Sequence, residues 1–163
     1  MTKIKAVALA ALLLLLPGNP VLAAKAMPSF SLSAVADAKK ISSDDFKNKV
    51  LLVTFFATWC PPCREEIPDF IKLQEKLSSK GFSMLGISVD ETGPAGVKNL
   101  IEQEKINYPV AMADASVLTG FGGISGIPTS FLINRKGDVV KYYPGYVPSS
   151  VLQVDIEQVM AEK

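Results

Sequence analysis

Buried strands alternating with helices, closed by a hairpin and a last helix, predict an α/β sandwich with a mixed central sheet and helices on both faces. Three features of the 163-residue sequence carry this expectation. Residues 50–56 are a near-continuous apolar run, as a strand covered on both faces requires, and residues 82–89 read as a second buried strand. Between them Ile67, Phe70, Ile71, Leu73 and Leu77 recur at helical spacing. Residues 129–134 and 139–143 flank Arg135-Lys136-Gly137-Asp138, a glycine-bearing hairpin turn. Parallel βαβ units followed by an antiparallel hairpin give a mixed sheet. A chain of this length can bury one core without staples.

Residues 1–24 read as a signal peptide, with residues 25–163 as the domain. Lys3 and Lys5 form a positive start, residues 6–16 an apolar run of eleven, and Pro17, Gly18 and Pro20 break it. Val21-Leu22-Ala23 presents small residues for cleavage, with Ala24-Lys25-Ala26 as a second option. The run falls short of the roughly 20 apolar residues of a membrane span. An uncleaved anchor is the alternative. Either way the domain is expected in a periplasmic or other extracytoplasmic, oxidising space.

Within the domain, residues 29–35 and 39–41 suit a hairpin around Ala36-Asp37-Ala38. Ser42 or Ser43 can cap a single turn ending at Phe46. The helix expected over 61–80 starts on prolines, should kink at Pro68 and stops at Gly81. After a loop over 90–96 come a helix over 97–105 and a strand over 108–112. Asp114 then caps a short helix, and Gly120, Gly122, Gly123 and Gly126 form a flexible connection. Pro148 can open the last helix, ending near Met160. Tyr142, Tyr143 and Tyr146 read as edge packing.

Charge is nearly balanced at +1, and losing Lys3 and Lys5 with the leader takes it to −1. No basic stripe points to nucleic acid. The absence of histidine excludes Ser-His-Asp and Cys-His nucleophile pairs, His-ligated zinc and His-ligated haem built from this chain alone. The only cysteines are Cys60 and Cys63. A four-residue loop constrains an unfolded chain little, so a bridge there points to chemistry. No metal and no cofactor are expected: zinc would need two further ligands, and haem attachment a His where Arg64 stands.

Trp59-Cys60-Pro61-Pro62-Cys63 follows a buried strand and opens a helix. Cys60 should sit at the helix N-terminus, where unpaired N–H groups and the macrodipole favour a thiolate and lower its pKa. Pro61 suits the first helical position. Cys63 lies about one turn on, within reach of Cys60. Cys60 is thus the expected nucleophile on a partner's disulfide and Cys63 the resolving thiol.

The residues from Val50 through Lys141 resemble the thioredoxin superfamily, and more narrowly its TlpA/ResA-like extracytoplasmic branch. The resemblance rests on 51–63, ending in Trp59-Cys60-Pro61-Pro62-Cys63, and on Gly126-Ile127-Pro128-Thr129-Ser130-Phe131-Leu132-Ile133. It implies a thioredoxin-like three-layer sandwich with an N-terminal β-hairpin addition and an inserted segment around residues 91–107. It makes Ile127-Pro128 a cis-proline loop beside the cysteines, with Trp59, Pro61, Pro62, Ile127, Pro128 and Thr129 meeting the substrate. Glu66 matches a glutamate of the ResA-like members that can tune and deprotonate the resolving thiol. Glu91 is a possible second carboxylate. Many thioredoxins carry an aspartate six residues before the first cysteine, where Thr54 stands here; Glu66 would take over its proton-accepting part.

The resemblance implies a monomeric reductase of protein disulfides fed by a membrane thiol carrier, with cytochrome c maturation as one setting. In cytochrome-maturation members a glutamate often follows the loop proline, and Thr129 stands there instead. A disulfide-donating oxidase is the alternative, although the best-known oxidases carry His inside the CxxC and a helical insertion. A thiol peroxidase would need Thr at Ala57, and a copper chaperone a His.

Overall fold

The computed structural model describes residues 25–162. The leader assigned to residues 1–24 lies outside the described residues. Strands β1 (Lys25–Ala26), β4 (Val50–Phe56), β5 (Phe82–Ser88), β6 (Val110–Met112), β7 (Thr129–Ile133) and β8 (Asp138–Pro144) form one mixed sheet in the order β1-β8-β7-β4-β5-β6. β4, β5 and β6 run parallel, whereas β7 and β8 are antiparallel to their neighbours. The helices are α1 (Pro61–Leu77), α2 (Pro94–Glu104), α3 (Ala115–Gly120) and α4 (Ser149–Ala161). This is the expected thioredoxin-like α/β sandwich.

The pleat of β4 sorts its side chains onto two cores. Val50, Leu52 and Phe56 join Ile67, Phe70, Leu73 and Leu77 of α1, Val97 and Leu100 of α2, and Leu152 and Ile156 of α4. Leu51, Val53 and Phe55 join Val117 of α3 and Phe121 on the opposite face. Every residue of β4 and β5 is buried, Thr54, Ser83 and Ser88 included, as strands covered on both faces require.

Strands β2 (Ser31–Ser33) and β3 (Lys40–Ser42) form the N-terminal hairpin as a separate two-stranded sheet. Phe30, Leu32 and Ile41 close the second core, and Val35 N–H donates to Val110 O at the β6 edge (2.8 Å). Ser42 caps the 3₁₀ turn Ser43–Phe46 in a full capping box with Asp45.

Two expectations need correction. α2 starts at Pro94, not at residue 97, because Gly93 adopts φ +87° and delivers Pro94 into the first turn with its φ preset. α1 continues as helix on both sides of Pro68. Pro68 and Arg64 are both exposed, so the Arg64 carbonyl that loses its donor can be solvated. Tyr143 does more than pack at an edge: its hydroxyl donates to Asp155 Oδ2 (2.7 Å), tying β8 to α4. β1 was not anticipated, because two residues carry no periodicity.

Candidate active site

Because β4 and β5 are parallel, their carboxyl ends lie side by side, with Phe56 opposite Ser88. The turn after β4 therefore emerges beside the turn after β5, the place where open α/β sheets hold their ligands. Cys60 is the N-cap of α1, in extended conformation, with Pro61 and Pro62 at the first two helical positions. Cys60 Sγ accepts Cys63 N–H at 3.3 Å, the helix N-terminal interaction expected from the motif. The two cysteines are disulfide-bonded, with Cα atoms 5.3 Å apart. Both are almost fully covered, while Trp59 beside them is 69% exposed.

The Ile127–Pro128 peptide is cis. Ile127 and Trp59 line one open cleft of ≈ 780 Å³, together with Asp90, Glu91, Leu118 and Ile124. Pro61 is exposed and Pro62 half-buried. Thr129 faces inward: it is buried, and its hydroxyl donates to Gly126 O (2.8 Å), bracing the loop ahead of the proline. Gly145 N–H reaches Pro128 O across the β7–β8 end (2.8 Å).

Glu66 shares the inner face of α1 with Cys63 and is only 4% exposed. That excludes a solvated surface glutamate. Its Oε1 accepts Val147 N–H at 3.0 Å, while Oε2 is buried without a hydrogen-bond partner among the described residues. Burial pushes its carboxyl up to about 7, against the opposing pull of the Val147 N–H. Burial, then the Glu66 charge, also pushes the Tyr108 phenol above its usual range. Thr54 accepts the Ser130 hydroxyl (3.0 Å) on the adjacent strand, so an uncharged pair stands at the aspartate position.

Glu91 is exposed on the wall of the cleft. Its neighbour Asp90, which sequence reasoning passed over, is the buried carboxylate of this loop. It accepts the Thr58 N–H (3.0 Å), the Thr58 hydroxyl (2.6 Å) and the Ser88 hydroxyl (2.7 Å). The available signal was its place: an acid at the carboxyl end of a buried strand adjoining the strand that leads to the cysteines.

A disulfide-bonded CxxC pair at the N-terminus of a helix, on this sheet and beside a cis-proline loop, defines a thiol–disulfide oxidoreductase of the thioredoxin superfamily. The redoxin family model matches residues 22–159, and the chain belongs to that family. It is 36% identical over 121 residues to the thiol-disulfide oxidoreductase ResA of Bacillus thuringiensis (strain Al Hakam), covering 74% of this chain and 69% of that one. It is 33% identical over 129 residues to the thiol:disulfide interchange protein DsbE of Pseudomonas aeruginosa, covering 78% and 69%. Among solved structures, a thioredoxin-family thiol:disulfide interchange protein from Chlorobium tepidum TLS superposes with TM-score 0.79 at 40% identity, covering 85% of this chain and 97% of that one.

Proposed function

We propose that this chain reduces disulfides of extracytoplasmic proteins, with Cys60 as nucleophile, Cys63 as resolving thiol and Glu66 as the proton partner of Cys63. The observation that carries the assignment of roles is the Cys63 N–H pointing at Cys60 Sγ. That helix N-terminus stabilises negative charge on Cys60 and not on Cys63. In the reduced protein, the Cys60 thiolate attacks a substrate disulfide, forming a mixed disulfide and releasing one substrate thiolate. Cys63, losing its proton to Glu66, attacks Cys60 Sγ. The second substrate thiol leaves, and the Cys60–Cys63 bond closes. Two electrons pass to the substrate, so an external dithiol must restore the pair; a membrane thiol carrier is the donor in this reading.

A carboxyl held near 7 can take and return a proton at neutral pH, as this step requires. The exposed Trp59 and the Ile127–Pro128 loop offer a surface to a substrate chain. The leader of residues 1–24 supports export, and the mass of the protein recovered from its compartment shows whether residues 25–163 are the mature domain. Sedimentation tests the expected monomer.

The reductase direction is tested by equilibrating the protein with glutathione and dithiothreitol buffers. A reduction potential near the roughly −270 mV of thioredoxin is expected, while one near the roughly −120 mV of a strong oxidant overturns the proposal in favour of disulfide donation. Cys63→Ser should accumulate a mixed disulfide with substrate, detected as a mass adduct, whereas Cys60→Ser should form none.

A further inference from the structure

Trp59 is the most exposed large apolar side chain among the described residues, and the core does little to hold it. Its place beside the cleft must come from the backbone. The strand ladder ends at Phe56, whose carbonyl accepts Val89 N–H (2.8 Å), and the next regular element begins only at Pro61. Ala57 and Cys60, at its two ends, are buried, and Cys60 is tied to α1 by its bond to Cys63; two hydrogen-bonded contacts hold the turn between. Cys60 N–H closes a turn onto Ala57 O (3.2 Å). Thr58 is held through both its N–H and its hydroxyl by the two carboxylate oxygens of Asp90.

We infer that Asp90 is a positioning residue for substrate engagement: its carboxylate clamps Thr58 and so holds the Trp59 indole as one wall of the cleft that receives the substrate chain. This rests on the reductase reading above and adds a residue to which that reading gave no part.

The clamp is itself built rigidly. Asp90 is only 8% exposed, and the Ser88 hydroxyl donates to its Oδ2 while accepting Asp90 N–H (3.1 Å). An acceptor-only group meets three donors here, a pattern that neither an amide nor an alcohol reproduces. Ile127 and Gly126 line the same cleft as Trp59, so the shape of the cleft depends on where the Thr58-Trp59 turn is held. A small disulfide needs only the sulfurs. A protein substrate must also lie along the cleft, and it alone should sense a loose wall.

Trp59 is the only tryptophan of the sequence, so its fluorescence reports this wall without interference. In the wild-type protein, time-resolved anisotropy should decay mainly with overall tumbling. Asp90→Asn should add a fast component. It should also raise the KM for insulin reduction by about fivefold or more, while turnover of the neutral 2-hydroxyethyl disulfide stays within about twofold. Thr58→Val, which keeps the backbone bond and loses the hydroxyl, should move both readouts the same way by less. Thr58→Ser should restore both. If Asp90→Asn does not fold, the Thr58 pair decides alone. A folded variant with wild-type anisotropy, or with a loosened indole and an unchanged KM for insulin, overturns the inference. Failure of the wild-type protein to reduce 2-hydroxyethyl disulfide would instead overturn the reductase reading.

Discussion

At neutral pH Glu66 stands close to its own midpoint, so its charge is set by small changes in its surroundings. A carboxyl whose pKa rises from 4.5 to about 7 on folding binds one proton more in the folded chain than in the unfolded chain between those values. Stability therefore falls as pH rises through that window, by about 3 kcal/mol in all. Glu66→Gln removes the ionisation and keeps an acceptor for Val147 N–H. Urea unfolding should find this variant and the wild type similar near pH 5, and the variant the more stable above pH 7.5. Equal pH slopes would show that Glu66 does not titrate inside. The same substitution should slow release of the mixed disulfide at neutral pH if Glu66 accepts the Cys63 proton. Sequence spacing put Glu66 on the face of Cys63. It did not reveal that Val147, 81 residues on, closes over it.

Elements were legible to the extent that they repeat. β4 and β5, the apolar stripe of α1 and the hairpin β7–β8 all follow from periodicity or turn chemistry. The start of α2 is poorly marked because its first turn is Pro94-Ala95-Gly96, with no apolar stripe; Gly93 and Pro94 carry the signal instead. α3 shows a contact that no local pattern announces. A Cβ at Gly120 would stand 2.8 Å from Pro28 Cβ, because the segment before β2 crosses this helix end. Gly120→Ala should therefore destabilise by about 1–3 kcal/mol despite the better helix propensity of alanine. Chemical unfolding checks the sign. A stabilised variant would mean that Pro28 moves aside at no cost.

For the whole molecule, the Cys60–Cys63 bond is peripheral to folding. Two cores on either face of a six-stranded sheet hold the chain, and the bridge closes only a four-residue loop. On chain entropy alone it adds about 2 kcal/mol. The reduced protein should remain fully folded, and a reductase should be less stable reduced than oxidised, since a strong oxidant is one whose reduced form is stabilised. Parallel urea titrations with and without reductant measure the difference. The opposite sign would argue for disulfide donation.

By itself the sequence determined the α/β class, the order of the main elements, the redox pair and its orientation on a helix start. Those depend on hydrophobic period, turn residues and short spacing, all of which are local. Only the tertiary structure decided that Thr129 faces inward, that Glu66 is sealed and its carboxyl raised, and that Asp90 rather than Glu91 is the buried carboxylate beside the cysteine turn. Burial and hydrogen-bond partners are supplied by segments far apart in the chain, and one position along a strand end is enough to exchange a solvated acid for a buried one.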